Sequence, residues 1–449
     1  MKRRNFTKNA SSVVAGSLLL GPNMLTASGN KKNTAPNDKL HIGVIGCNGM
    51  GWSDTMSLLK MDDIDLIGIC DVDNNVVEKR KSDYAKLRKN TPKAYTDYRE
   101  LLKDKDIDAV VIGTPDHWHC KIMVDAVNAG KHVYVEKPVA NTIEESKIMV
   151  QAAEKTGSIV QAGQWQRSGP HYKKAIDIVR SGVLGNIRLV KVWAYQGWMK
   201  PVPVLPDSAA PEGVDYDFWL GPAPKRAFNP NRYHFNFRWF WDYAGGLMTD
   251  WGVHEIDIAL YAMNASAPIS VMASGGKLAY PDDASETPDT LQTVFQYDGF
   301  NMLWEHATGI DAGPYGRREG IAFIGNNGTL IVNRGGYEVI VEREARGYSN
   351  WGANKMEPIE SFKMQGGPNH LDLHTQNFVE AIKKNDPSML NTHIKSGSVA
   401  AINAHMGNIA YKTGRKVYWD AEAGMFKNDD EANTMIKANY HNGWAVPQG

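Results

Sequence analysis

Gly43-Val44-Ile45-Gly46-Cys47-Asn48-Gly49-Met50-Gly51 decides the fold of this 449-residue chain. A short β-branched run, 41–45, enters the stretch and a helical pattern, 50–60, leaves it. A strand-to-helix turn this rich in glycine can aim backbone N–H groups and a helix N-terminus at a pyrophosphate. Set against the spacing G-x-G-x-x-G, Gly46 is the first glycine and Gly51 the third, and Asn48 stands at the second, flanked by Gly49 and Met50. Asparagine adds bulk where the backbone must approach a phosphate most closely, although it tolerates positive φ, and Gly49 can relieve the crowding.

Glycines alone also mark ordinary turns, so the context carries the reading. Asp71 closes the next apolar run, 66–70. A carboxylate there can accept the hydroxyls of an adenine ribose and repel a 2′-phosphate, which favours NAD over NADP; it could also cap the following helix.

Outward from this loop, short apolar runs at 41–45, 66–70, 108–112, 132–135 and 159–160 alternate with helical patterns at 50–60, 74–88, 117–129 and 143–154. Such alternation predicts an α/β fold, a parallel sheet covered by helices on both faces. After about residue 163 the strands lengthen (188–194, 292–297, 320–324, 329–332, 337–341), and helical patterns return at 371–384 and 394–412. We therefore expect a dinucleotide-binding domain over 38–162 and a second α/β domain over 163–420 with a large, mostly antiparallel sheet. The polar tail, 421–449, carries no signal.

Basic and acidic residues balance at 50 each, and no basic block follows the first few residues, which excludes an electrostatic footprint for nucleic acid. Small, largely uncharged partners fit better. The three cysteines have neither metal nor disulfide spacing and read as structural. Residues 1–33 look like a targeting segment and linker: Lys2-Arg3-Arg4 precedes an apolar stretch, 12–20, too short to span a bilayer. Arg3-Arg4-Asn5-Phe6-Thr7-Lys8 resembles a twin-arginine signal, which implies export of a folded protein to the periplasm with its cofactor already loaded and without lasting membrane insertion.

Three further motifs follow in order: Thr114-Pro115-Asp116-His117-Trp118-His119, then Tyr134-Val135-Glu136-Lys137-Pro138, then Asp250-Trp251-Gly252-Val253-His254-Glu255-Ile256-Asp257. With the glycine loop, they resemble the Gfo/Idh/MocA family of sugar and polyol oxidoreductases. The resemblance implies an N-terminal Rossmann domain, a catalytic lysine at Lys137, and a second-domain pair, Asp250 and His254, that handles a hydroxyl proton. It implies cofactor contacts from Gly46, Asn48, Gly49, Met50, Gly51, Asp71, Thr114, Pro115, His119, Glu136 and Lys137, and a homodimer or homotetramer; work outside the cytoplasm, where free NAD is scarce, implies that NAD is held tightly.

The residue types agree with that reading. Lys137 sits past a strand end, its direction restricted by Pro138. On one helix, Asp250, His254 and Asp257 would share a face, and an imidazole oriented by a carboxylate one turn away can serve as base. Capping and packing explain His117 and His119 nearly as well. No HExxH occurs and no metal is expected.

Six of the 13 tryptophans lie between Trp193 and Trp251, among Tyr233, His234, Asn236 and Arg238. Flat rings beside hydrogen-bonding groups suit a sugar. Trp165, Arg167, Tyr233, His234, Trp251 and Asp257 are the expected substrate contacts, with Gln164, Gln166 and His374 as further pocket groups. The lack of a conspicuous arginine cluster argues against a phosphorylated sugar. Three functions stay open: an exported NAD-dependent oxidoreductase of an unphosphorylated sugar, glycoside or polyol; a redox-neutral NAD-dependent glycosidase; and a sugar-binding protein without chemistry.

Overall fold

The computed structural model describes residues 39–88 and 90–449, so the targeting segment lies outside the described residues. The first sheet is built from β1 (Leu40–Ile45), α1 (Gly49–Leu58), β2 (Ile64–Cys70), α2 (Asn74–Ala85), β3 (Lys93–Tyr95), α3 (Tyr98–Lys103), β4 (Ala109–Ile112), α4 (Asp116–Asn128), β5 (His132–Val135), α5 (Ile143–Thr156) and β6 (Val160–Ala162). Its six strands are all parallel, in the order β3-β2-β1-β4-β5-β6. Every residue of Ala109–Ile112 is buried, as expected for a strand covered on both faces. β3 and α3 are too short and polar for periodicity to reveal them. Helix α5 opens with a reciprocal cap, Thr142 Oγ1 accepting from the Glu145 amide while Glu145 Oε2 accepts from the Asn141 amide and the Thr142 hydroxyl.

The chain continues through α6 (Pro170–Arg180), β7 (Ile187–Gln196), α7 (Tyr216–Leu220), α8 (Gly246–Asp250), α9 (Gly252–Met263), β8 (Ser270–Gly276), β9 (Thr290–Gln296), β10 (Asn301–Thr308), β11 (Glu319–Gly325), β12 (Gly328–Asn333) and β13 (Gly336–Val341). A hairpin, β14 (Arg343–Ala345) and β15 (Trp351–Asn354), precedes β16 (Phe362–Lys363), α10 (His370–Lys384), α11 (Ile394–Thr413), β17 (Val417–Asp420), β18 (Met425–Phe426) and α12 (Asp430–Thr434). Ten strands form the second sheet, β16-β13-β12-β11-β7-β10-β9-β8-β17-β18, antiparallel except where β10 runs alongside β7. One face packs on α6, α9 and α11 through Val253, Ile256, Trp304, Phe295 and Ala404. Among the described residues no helix is long and apolar enough to cross a membrane.

The late helices also reach the first sheet. Phe378, Val379 and Ile382 of α10 share a cluster with Leu40, Val44 and Tyr134, and Ile394 and Ala401 of α11 join Ile112, Val135 and Val160. In the tail, silent in the sequence, Met425–Phe426 add the last strand of the second sheet and residues 436–449 lie against α4 and α5. Tyr440 Oη donates to Glu145 Oε1 at 2.8 Å, and the Trp444 ring meets Trp118 edge-on at 4.9 Å.

Candidate active site

A cleft of about 590 Å³ opens at the C-terminal ends of β1, β2, β4 and β5, where sheets of this order bind ligands. Gly46, Asn48, Gly49, Met50, Asp71, Thr114, Pro115, Glu136 and Lys137 line it, and so do Phe218, Trp219, Phe235 and Arg238. Gly51 lies beneath the lining. A Cβ there would stand 2.1 Å from the Gly46 carbonyl oxygen, and one on Gly113 would stand 2.4 Å from the Gly51 Cα. Three glycines thus press the turn after β1 onto the loop after β4; Gly113, missed in the sequence, was marked only by the Gly-Thr-Pro that ends β4. Gly49 takes the positive φ of +47° and Asn48 is extended (φ −95°), so asparagine at the second position is unstrained.

Asp71 is half-buried between the ends of β1 and β2. Its Oδ2 accepts from the Cys47 amide at 2.8 Å and its Oδ1 from the Asp73 amide at 3.1 Å. Burial raises its pKa above the usual carboxylate value. The cap of α2 is Asp73, whose Oδ1 accepts from the Asn75 amide, which leaves Asp71 for the ribose edge of the cleft. The glycine cradle, with no acidic residue in the first turn of α1, and this carboxylate fit a dinucleotide without a 2′-phosphate.

At the other end, Lys137 Nζ donates to Asp250 Oδ1 at 2.7 Å and to the Asp250 carbonyl at 2.9 Å, and Arg238 Nε donates to the same Oδ1 at 3.1 Å. Burial alone would raise the Asp250 pKa, but Lys137 and Arg238 outweigh it and hold the carboxyl far below its usual range. This corrects the expected pairing of Asp250 with His254. The helix breaks at Trp251, between α8 and α9, and the two cations claim the carboxylate, so His254 Nδ1 is buried without a partner. Burial, then Lys137 and Arg334, push the His254 pKa well below the ordinary imidazole value and keep the ring neutral.

Beside Glu136, two carboxyl groups that the sequence did not single out, Asp116 and Asp54, stand behind Lys137. Burial raises Asp116 to about 8 and Glu136 to about 7 even though Lys137 opposes both shifts. Asp54 is also raised by burial and by Glu136, and neither of its oxygens has a partner, which fits a protonated side chain.

His119 lies under the lining, with Nδ1 2.7 Å from the Pro138 carbonyl and Nε2 2.8 Å from that of Thr114. It therefore braces the loops after β4 and β5, which corrects the expected cofactor contact. Burial holds it at about 4, so a single N–H serves one of the two carbonyls. His117 is likewise buried against the Trp219 carbonyl at 3.1 Å.

The six expected substrate contacts divide. Trp165 and Trp251 both meet the His254 ring, at 5.8 and 6.1 Å between centroids. Arg167 and Asp257 close a bidentate pair, 2.7 Å at each contact, with side chains only 9% and 1% exposed. Their mutual satisfaction corrects the expectation that either holds substrate. Tyr233 and His234 line the cleft near Asp71, His234 Nε2 3.2 Å from Asp73 Oδ2 and Nδ1 3.3 Å from Asn48 Nδ2. His374 is buried between Ser168 Oγ and the Ala162 carbonyl. Arg334 was missed because it lies far along the chain, in the turn between β12 and β13, with no motif around it.

Comparison with known proteins agrees with this architecture. Residues 40–164 match the Gfo/Idh/MocA profile described as an oxidoreductase family with an NAD-binding Rossmann fold, and residues 169–305 and 358–446 match that family's C-terminal alpha/beta domain. A glycosyl hydrolase family 109 protein of a Shewanella species is 31% identical over 204 residues, 41% of this chain and 44% of that protein. The alpha-N-acetylgalactosaminidase of Shewanella oneidensis is 30% identical over the same coverage. The chain thus spans less than half the length of these relatives. Among solved structures, levoglucosan dehydrogenase in complex with NADH and levoglucosan superposes with a TM-score of 0.63 at 18% identity, covering 85% of this chain and 99% of that one. The WlbA dehydrogenase of Bordetella pertussis in complex with NADH and UDP-GlcNAcA gives 0.60 at 18% identity, with the same coverage. At such identity the likeness is one of fold.

Proposed function

Because the chain belongs to the Gfo/Idh/MocA family of NAD-binding oxidoreductases, we propose that it moves a hydride between NAD and a carbinol carbon of a sugar, glycoside or polyol. The observation that carries the reading is the ion pair between Lys137 of the first domain and Asp250 of the second, beside an unpartnered neutral imidazole at His254. When bound, the nicotinamide supplies the site that takes or gives hydride. His254, kept neutral by burial and two nearby cations, accepts the hydroxyl proton as the carbon is oxidised. Lys137 presents its ammonium to the developing alkoxide, and Asp250, anionic throughout, fixes the direction of that ammonium. Trp165 and Trp251 supply apolar faces for the C–H side of a sugar ring.

The twin-arginine-like leader supports work in the periplasm, where free NAD is scarce, and hence a cofactor retained through the cycle. His234 and Asn48, facing each other across the nucleotide end, favour such retention. The 30–31% identity to family 109 glycosidases favours a second reading, in which the hydride returns to the same sugar after glycoside cleavage.

One experiment separates them. The purified protein is denatured to identify its nucleotide, then intact protein is offered unphosphorylated sugars, polyols and nitrophenyl glycosides, including an N-acetylgalactosaminide. A change in the NADH absorbance band supports the oxidoreductase; nitrophenol release with no net change in that band supports the glycosidase. Absence of both, with sugar still bound, leaves a binding protein.

A further inference from the structure

Of the cations around the site, Lys137 and Arg238 share Asp250, and Arg167 is neutralised by Asp257. Arg334 is different: among the described residues it forms no ion pair. Its guanidinium is clamped between two indoles, 4.4 Å from the Trp165 ring centroid and 4.6 Å from that of Trp251. Nε and Nη2 both donate to one acceptor, Gln166 Oε1, at 3.2 and 3.1 Å. Gln166 is itself held by its amide nitrogen, which donates to Tyr172 Oη at 3.0 Å and Glu255 Oε1 at 3.3 Å.

Such a clamp fixes both the plane and the rotation of the guanidinium. Five N–H donors are available to an arginine and two are used here, so Nη1 and the second Nη2 hydrogen form a terminal edge of the shape that a carboxylate or sulfate accepts bidentately. The two indoles are also the ones whose rings meet His254, and Trp251 directly follows Asp250. The unspent charge is therefore within one tryptophan of the proton-handling groups. Among the described residues neither Glu255 nor Glu319 forms an ion pair with it, and burial raises Glu255 to about 8.

The geometry points to Arg334 as the residue that selects the substrate: the sugar carries an anionic substituent, a carboxylate or a sulfate ester, seated on the terminal edge of this guanidinium. This rests on the sugar-oxidoreductase reading above and narrows it, replacing the expectation of an uncharged substrate.

The test uses the cofactor-loaded protein and matched methyl glycosides: glucuronide against glucoside, galacturonide against galactoside, and galactose 6-sulfate against galactose. Binding is read by calorimetry and hydride transfer at the NADH band. The expected result is that at least one anionic member exceeds its neutral partner by about 10- to 100-fold in affinity and kcat/KM. The ratio falls to near one in Arg334→Met and is partly kept in Arg334→Lys; which member wins tells carboxylate from sulfate. Neutral sugars that bind and react as well as the anionic ones in the unmodified protein overturn the inference, without recourse to a variant. Anionic sugars that bind through Arg334 without hydride transfer overturn the oxidoreductase reading and leave the anion site standing. Sugars that neither bind nor react overturn both.

Discussion

Lys137 Nζ lies 2.7 Å from Asp250 Oδ1, so the amine at the end of β5 is held on the end of α8, each side chain only 10–14% exposed. Replacing one partner leaves the other buried, which costs more than the pair itself is worth. Lys137→Met is expected to lower kcat by about 10²- to 10⁴-fold. Arg238 still compensates Asp250, so the stability loss should stay near 1–3 kcal/mol. Steady-state rates and a urea melt on the same preparation check the two effects; a variant with unchanged kcat removes Lys137 from the mechanism.

His254 makes a prediction about pH. Its depressed pKa keeps the base unprotonated below the ordinary imidazole value of about 6.5. The acid limb of kcat/KM should therefore lie below the ordinary imidazole value, and His254→Asn should abolish that limb together with most of the rate. A limb centred at the ordinary value in the unmodified protein would count against His254 as the base.

The glycine cradle separates two substitutions that look alike in sequence. A methyl on Gly51 meets the Gly46 carbonyl at 2.1 Å, whereas one on Gly49 meets nothing within 4 Å and suffers only from its φ of +47°. Gly51→Ala is expected to lose retained NAD and unfold several degrees lower. Gly49→Ala should keep its nucleotide and lose about 1–2 kcal/mol. Nucleotide content after gel filtration, with calorimetric melting, reads both.

Stability should fall as the solution becomes alkaline. Burial raises Glu136 and Glu145 to about 7, and Asp116 and Glu255 to about 8, against roughly 4 in the unfolded chain. Folded values above unfolded ones mean that their contribution is complete below about pH 4 and is lost as pH climbs through 7–8. His306, His374 and His405, held near 4 by burial, oppose this only below about 6.5, where unfolded imidazoles take up protons. Between pH 6.5 and 8.5 the imidazoles no longer oppose the carboxyls and the melting midpoint of nucleotide-free protein should drop. Glu145→Gln should flatten the slope; a midpoint that rises across this window contradicts the assignment.

Much of the first sheet was legible because its strands are apolar on both faces and its helices periodic, and because the glycine spacing and Asp71 act through neighbouring backbone. β3 and α3 escaped, being too short to show a period. The second sheet was read in part: β8 and β10 went unrecognised, since Met272 faces solvent and Glu305 and His306 interrupt the apolar run with buried polar side chains. At the site, Lys137 and Asp250 could be named, but not their bond to each other, because helical spacing assumed a continuous helix through Trp251. Arg167 and Asp257 illustrate the same limit: sequence shows two charged groups near a pocket, and only the fold shows that they neutralise each other. Arg334 had no sequence signal at all, since its importance comes from the two indoles that the fold brings around it.

Phe378, Ile382, Ile394 and Ala401 fill the space beneath strands made from residues 40–162. A ribosome therefore releases the nucleotide-binding strands long before the helices that cover them exist, and those strands must wait, exposed, for the end of translation. A fragment ending near residue 163 should therefore precipitate when made alone.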